Sequence, residues 1–232
     1  MTADAPGPAS SPDDDVARLT DAQKSLRAQM LATEHWSLLA SRSTTQSEVL
    51  TRIAIFLTLV SAGLITLGVL GNATGFRGWF GVAALGVLAL LVLLGVITQL
   101  RVFNTATEDL VYVLAMNRLR GAYLDLDPGI GRYFMTGTTD DDSGAVATYY
   151  PFAVRDRSQV FASSMMLMLV VNTALVGLFV GALVFASSDS IGWSVAVGAF
   201  IAAAQFVLWM LKGYRSYRQV LRTHVPLRRA AP

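Results

Sequence analysis

The sequence predicts an all-α membrane protein of two transmembrane helical hairpins, four spans in total, with cytoplasmic helical extensions. The first observation is a set of four uninterrupted apolar runs, at residues 53–71, 79–100, 160–186 and 191–211. Each run has the roughly 17–25 residues with which a helix crosses about 30 Å of hydrocarbon. The second observation is that short polar connectors, residues 72–78 and 187–190, join the runs in pairs. Links this short make each pair an antiparallel hairpin.

The third observation is the distribution of positive charge. Seventeen of the eighteen Lys and Arg residues lie in the N-terminal region, the central segment or the C-terminal tail, and the connectors contain only Arg77. Cytoplasmic loops of membrane proteins carry an excess of Lys and Arg. The sequence therefore predicts a multi-pass protein of the plasma (inner) membrane with both termini and the central segment in the cytoplasm.

The N-terminal region divides into two predicted segments. Residues 1–15 are rich in Pro, Ser and Asp and predict a disordered tail. Residues 16–52 predict a cytoplasmic amphipathic helix, interrupted by the polar residues 43–48. Apolar residues recur in it at coiled-coil spacing, with one polar member. This seam comprises Val16, Leu19, Gln23, Leu26 and Met30.

Three interpretations of this N-terminal helix remain open. It pairs with another cytoplasmic helix, or it lies on the membrane surface through Trp36 and its neighbouring leucines, or it is a solvated lead-in to the first hairpin.

The remaining segments follow from the runs. Residues 53–101 and 160–211 form hairpins 1 and 2, and residues 102–159 form a cytoplasmic helix and loop. The helix is predicted to end at Asp127, because the following Pro128 and Gly129 favour a turn. Residues 130–145 are predicted to be loop, and the run from Asp140 to Asp142 is predicted to be solvated because it lacks calcium-loop spacing. Residues 212–232 form a basic cytoplasmic tail.

Polar residues within the spans are the candidates for a site. The runs contain no ionisable residue, which argues against a proton-coupled transporter or a voltage sensor. Asn172 and Thr173 lie in the third run and Gln205 in the fourth. Their side chains either bond across hairpin 2 as packing contacts or line a pore in an oligomer. Gly177 and Gly181 form a GxxxG face, whose partner is either in the same chain or in another subunit.

Basic residues directly after the fourth run have two interpretations. They either contact anionic lipid headgroups, at about 1 kcal/mol each, or serve only as an orientation signal. These residues are Lys212, Arg215, Arg218 and Arg222.

Catalytic and cofactor signatures are not found in the sequence. The chain has no cysteine, which excludes disulfides and thiolate sites. His35 and His224 are far apart in sequence and lack zinc spacing. The net charge of +2 is spread along membrane flanks and does not indicate nucleic-acid binding. We therefore expect no enzymatic activity, no metal, no cofactor and no nucleic-acid partner.

Some stretches of the chain resemble a known family. They are residues 33–43 and 117–124, then Pro128, residues 133–137 and the pair Asp140–Asp141. They are similar to a family of actinobacterial four-span membrane proteins of uncharacterised activity. The order of a long helix, a hairpin and a cytoplasmic helix also resembles the SLATT architecture, two-span modules proposed as pore-forming effectors, although two hairpins are present here.

Two functions are expected from these observations. The first is a non-enzymatic integral membrane protein that acts as an oligomeric interaction or scaffold unit, a homo-oligomer in contact with the lipid bilayer. The alternative is an oligomeric ion channel or pore gated by its cytoplasmic helices.

Overall fold

The computed structural model describes residues 19–152 and 163–230, and all regular structure in these ranges is helical. The predicted tail at residues 1–15, seam residue Val16 and the start of the third run at residue 160 lie outside the described residues. Five α-helices and one 3-10 helix follow in chain order. They are α1 (Asp21–Thr74), α2 (Phe80–Leu126), the 3-10 helix (Pro128–Tyr133), α3 (Asp142–Tyr149), α4 (Ser164–Ser188) and α5 (Ile191–Thr223).

Four of these helices, α1, α2, α4 and α5, are long and apolar enough to cross a membrane. The predicted all-α fold with four spans in two hairpins is therefore confirmed. Short turns join the helices of each hairpin, residues 75–79 in the first and Asp189–Ser190 in the second. Asp189 ends α4 in the left-handed conformation, with φ 54°, and its N–H donates to the Phe185 carbonyl at 3.0 Å. This cap reverses the chain within two residues.

The chain divides into two compact units. The membrane unit comprises described residues 43–110 and 163–223, and the polar unit comprises residues 19–42, 111–152 and 224–230. The membrane unit has an apolar core formed by α1, α2 and α4, with Phe56, Leu91, Met168 and Leu175 among its buried members. Most other apolar side chains of the spans are exposed, as lipid-facing side chains are.

Helix α1 begins at a capping box. The Thr20 N–H donates to Gln23 Oε1 at 2.9 Å, and the Gln23 N–H donates to Thr20 Oγ1 at 3.3 Å. The expected interruption at residues 43–48 is wrong, because α1 runs unbroken through it. The hydroxyls of Ser47 and Thr51 donate to carbonyls of the same helix and so compete little with its backbone bonds.

The segment after α2 is more ordered than expected. Helix α2 ends at Leu126, as predicted, and Asp127 caps the 3-10 helix by accepting from the Gly129 N–H at 2.8 Å. The prediction of loop for residues 130–145 is wrong in part, because the 3-10 helix and the start of α3 occupy it. Asp141 caps α3 and accepts from the Gly144 N–H at 2.9 Å. Acidic side chains that suggested loop are therefore helix caps.

Candidate functional site

Two buried amides meet in the membrane unit and form its main polar contact. Gln99 of α2 and Asn172 of α4 both have no exposed surface, and Asn172 Nδ2 donates to Gln99 Oε1 at 2.6 Å. We call these two residues the amide pair. The expected bond from Asn172 to Gln205 across hairpin 2 is not the one formed, because Asn172 faces α2 instead. Asn172 therefore links the two hairpins.

The amide pair satisfies only part of its bonding capacity. Gln99 Nε2 and Asn172 Oδ1 are buried and have no hydrogen-bond partner among the described residues. Asn172 Oδ1 lies against Gly95 of α2, where an added Cβ would be 2.4 Å from this oxygen and 3.0 Å from Phe56 Cζ. A buried unpaired polar atom costs about 1–3 kcal/mol. The amide pair thus joins the two hairpins through one hydrogen bond, but its two unpaired atoms lower the stability of the membrane unit.

Sequence reasoning missed Gln99 for an identifiable reason. The residue lies next to the last position of the second run, where a polar side chain ordinarily marks the membrane interface. The burial of Gln99 becomes evident only in the structure, where α4 covers its side chain. The available signal was a Gly95-xxx-Gln99 spacing, which places a small and a polar residue on one helix face.

The small-residue face of α4 has its partner in the same chain. An added Cβ on Gly177 would lie 2.9 Å from the Gly198 carbonyl oxygen of α5, and one on Gly198 would lie 2.6 Å from the Gly177 oxygen. Gly181 similarly faces the Ser194 oxygen, at 3.1 Å from its added Cβ. The GxxxG motif therefore closes hairpin 2 by backbone contact.

The threonine and serine hydroxyls of the spans bond locally. Thr173 is buried, and its hydroxyl donates to the Leu169 carbonyl at 2.8 Å. Thr58, Ser61 and Thr66 likewise donate to carbonyls four residues earlier in α1. Gln205 is half-buried on α5. These hydroxyls serve their own helices.

An ion network lies at the polar ends of the first two spans. Arg101 of α2 bonds Glu48 of α1 at 3.0 Å and Glu108 at 2.9 Å, and Arg52 bonds Glu48 at 2.8 Å. Hydrogen bonds from Arg101 and then Arg52 hold the pKa of the Glu48 carboxyl below its usual range. The network joins the two helices of hairpin 1 where they leave the apolar region.

The basic residues after the fourth run lie on the last turns of α5. Lys212, Arg215, Arg218 and Arg222 are all exposed. The Lys212 ammonium lies 4.7 Å from the Trp209 ring centroid, and the Arg218 guanidinium lies 5.7 Å from that of Tyr214. These contacts are in the range of cation–π interactions. The predicted tail is thus helical to Thr223.

A buried carboxylate organises the polar unit. Asp140 has no exposed surface and accepts from Arg118 Nε at 2.8 Å and from the N–H groups of Leu227 and Arg228 at 3.1 and 2.8 Å. His224 Nε2 lies 3.2 Å from the same carboxylate. We call these five residues the Asp140 cluster. The expectation of a solvated acidic run is wrong for Asp140, and His224 is not isolated.

The charged form of Asp140 is stabilised by its surroundings. Burial by itself raises its pKa, but hydrogen bonds from the Arg228 N–H, the Arg118 side chain and the Leu227 N–H outweigh burial, and the pKa is lowered. The same holds for Asp141, whose pKa is lowered to about 2 although burial opposes this. Its carboxylate accepts from the Ala230 N–H at 2.9 Å. Both carboxylates therefore bind the C-terminal segment, residues 224–230, through its backbone.

Two further contacts complete the polar unit. Arg228 bonds the Asp125 carboxylate and donates to the Gly121 carbonyl at 3.1 Å. The His35 ring stacks on Tyr123 at a centroid distance of 6.2 Å, so His35 is not isolated either. Burial and then the charge of Arg120 lower the pKa of His35. His35 is therefore a packing residue between α1 and α2.

The described residues contain no group of three His, Cys, Asp or Glu side chains placed to hold a metal ion. Comparison of the chain with protein-family models, with curated proteins and with solved structures gave no match. The class of molecule is therefore defined by the fold alone, as an integral membrane protein with four spanning helices and a separate polar unit.

Proposed function

We propose that this chain is a non-enzymatic membrane protein that acts as an oligomeric interaction unit, with the seam of α1 as its self-association surface. The observation that carries the proposal is the exposure of the seam residues within α1, which are Gln23, Leu26 and Met30. Leu26 is 58% exposed and Met30 is 67% exposed, although both recur at coiled-coil spacing. An apolar seam outside the spans is unfavourable in water and is removed from it by pairing with a second copy.

The two faces of α1 in the polar unit support this proposal. Its less exposed residues are Ala32 and six others that repeat at the 3-4 spacing of one helix face, namely Lys24, Ala28, Leu31, His35, Leu38 and Arg42. At about 100° per residue, the seam residues lie well over 90° around the helix from that face. The helix therefore packs within its own unit on one side, and its seam residues are exposed on the other side.

A cysteine cross-linking experiment tests the self-association. The chain contains no cysteine, so Met30→Cys introduces a single thiol. In a parallel pair of seams the two thiols approach within disulfide range, and oxidation in native membranes should give a species of twice the chain mass. Leu31→Cys, one residue away on the packing face, is the matched control and should not cross-link.

A second pair of variants separates pairing from chance collision. Leu26→Glu with Met30→Glu should reduce the oligomer, because it places like charges across the seam, whereas Gln29→Glu should not. A monomeric mass for the wild type in nanodiscs, together with equal cross-linking of Met30→Cys and Leu31→Cys, would refute the proposal.

The absence of enzymatic activity is proposed from what the polar groups do. The carboxylates of Asp140 and Asp141 are taken up by arginine and backbone donors, and the span hydroxyls donate to their own helices. Neither set combines a nucleophile with an adjacent base, which covalent catalysis requires. The Asp140 cluster is a structural clamp on the C-terminal segment in this proposal.

Orientation in the plasma membrane, with both termini cytoplasmic, is proposed from the distribution of Lys and Arg. Ala73→Cys, Met135→Cys and Ser187→Cys place single thiols at exposed positions. An impermeant maleimide added to intact cells should label positions 73 and 187 and leave position 135 unlabelled until the cells are lysed. Labelling of Met135→Cys from outside would reverse the orientation.

An ion channel is the second candidate, favoured by the unpaired amide atoms of Gln99 and Asn172. Polar groups lining a pathway would recruit water if the hairpins separated. Ion flux into liposomes containing the purified protein distinguishes the candidates. If the protein is an interaction unit, the liposomes should show no ion flux. Flux that is abolished by Asn172→Leu would instead support the ion channel.

A further inference from the structure

The charge of α5 is uncompensated. Residues 191–223 contain Lys212, Arg215, Arg218 and Arg222 and no Asp or Glu. Ion pairs among the described residues use Arg52, Arg101, Arg118 and Arg228, and none of them involves these four. We call Lys212, Arg215, Arg218 and Arg222 the basic face. Its charge has no carboxylate partner within the described parts of the chain.

The three arginines of the basic face point away from the helix packing, whereas Lys212 lies beside Trp209 at its edge. Phe103 of α2 stacks on Trp209 at a centroid distance of 5.2 Å, and an added Cβ on Gly213 would lie 2.5 Å from the Phe103 ring. Positions 209 and 213 therefore mark the packed side of α5. At about 100° per residue, Arg215, Arg218 and Arg222 fall within about 60° of one another on the opposite side.

The basic face begins at the end of the fourth apolar run. Lys212 follows the last residue of the run, and Trp209 and Tyr214 flank it. Tyr214 is 61% exposed. Aromatic side chains at this level are typical of the membrane interface, and clusters of Lys and Arg just beyond a span are typical of anionic-lipid recognition.

We infer that the basic face of α5, through its residues nearest the fourth span, binds the headgroup phosphates of anionic phospholipids in the leaflet at the end of that span. The headgroup layer is about 5–8 Å thick in each leaflet. At 1.5 Å per residue, Arg215 lies about 4.5 Å beyond Lys212 and Arg222 about 15 Å beyond it. Lys212 and Arg215 therefore contact the headgroups, and Arg222 extends past them. In a lipid site, Lys212 and Arg215 therefore contribute more to binding than Arg222 does. A signal that only orients the span does not require this difference.

Trp209 provides an intrinsic reporter, because Lys212 contacts its ring. Replacing Trp36, Trp79 and Trp193, each more than 60% exposed, with Phe leaves Trp209 as the single tryptophan. The protein is reconstituted in phosphatidylcholine with a fraction of phosphatidylglycerol, and either lipid carries brominated acyl chains. Quenching of Trp209 then measures which lipid occupies the surface beside it. The expected result is stronger quenching by brominated phosphatidylglycerol, with a preference that falls at high salt.

Charge variants supply the decisive comparison. Lys212→Gln with Arg215→Gln should reduce the preference at least fivefold, whereas Arg222→Gln should change it less than twofold. Lys212→Arg with Arg215→Lys keeps both charges and should keep the preference, which controls for folding. Equal quenching by the two lipids in the wild type would overturn the inference. So would an unchanged preference after the double Gln replacement, or an equal loss in Arg222→Gln.

Discussion

Replacing both members of the amide pair should stabilise the protein, although replacing either one should destabilise it. In the wild type one hydrogen bond is formed and two buried atoms, Gln99 Nε2 and Asn172 Oδ1, lack partners. Gln99→Leu removes the bond and one unpaired atom, but it leaves Asn172 Nδ2 unpaired in exchange. Asn172→Leu makes the equivalent exchange at Gln99 Oε1. The number of unpaired atoms is unchanged in each case, so the net loss is the bond.

The magnitudes follow from this accounting. A polar contact between membrane helices contributes about 0.6 kcal/mol on average and a buried hydrogen bond about 1 kcal/mol. Each single replacement should therefore lower the free energy of unfolding by about 1 kcal/mol. The double replacement loses the same bond but also removes both unpaired atoms, each of which costs about 1–3 kcal/mol. It should exceed the wild type by about 1 kcal/mol or more.

Reversible unfolding in mixed micelles with increasing denaturing detergent, followed by circular dichroism, measures all four proteins of this double-mutant cycle. Thr173→Val is a matched control, because the Thr173 hydroxyl donates to its own helix, and it should change the free energy by less than about 0.5 kcal/mol. A double replacement that loses about 2 kcal/mol, the sum of the single effects, would refute the reasoning. The two atoms would then not carry the assumed desolvation cost.

Two further predictions concern hairpin 2 and the polar unit. Gly198→Val should destabilise the protein by about 1–3 kcal/mol in the same assay, because an added Cβ would lie 2.6 Å from the Gly177 oxygen. Gly86→Val is the control and should have little effect, because no atom lies within 4 Å of its added Cβ. The pKa of Asp141 is lowered from 3.8 to about 2 on folding, so its stabilising contribution is complete above about pH 4 and is lost as the pH falls towards about 2. Hydrogen exchange of residues 142–149 should accelerate over that range relative to Asp141→Asn, and identical pH dependence in the two proteins would contradict this assignment.

The spanning helices could be predicted because their signal is local. An apolar run of about 20 residues can satisfy its backbone in lipid only as a helix, whatever it packs against. A second local signal, Pro128 followed by Gly129, predicted the end of α2. The expected interruption at residues 43–48 was wrong, because the Ser47 hydroxyl donates to the Thr44 carbonyl and α1 continues through the segment.

The polar contacts could not be predicted because their partners are distant in sequence. Gln99 and Asn172 are 73 residues apart, and Asp140 and Arg228 are 88 apart. An aspartate in a run of acidic residues is usually solvated. Asp140 is buried because the folded C-terminal segment brings two backbone donors to its carboxylate. The GxxxG motif was visible in the sequence, but its partner became clear only with the approach of α5.

The position of the Asp140 cluster in the chain has a consequence for biosynthesis. Asp140 and Asp141 leave the ribosome before hairpin 2, whereas their donors at residues 227–230 follow hairpin 2 in the chain. Until the second hairpin has been made, the two carboxylates have only partners that precede it, such as Arg118 for Asp140 and the Gly144 N–H for Asp141. Closing the polar unit is therefore a late, long-range event, and a chain that stalls after Thr223 leaves both carboxylates without these backbone donors. Closure of the polar unit thus requires that hairpin 2 has already been synthesised.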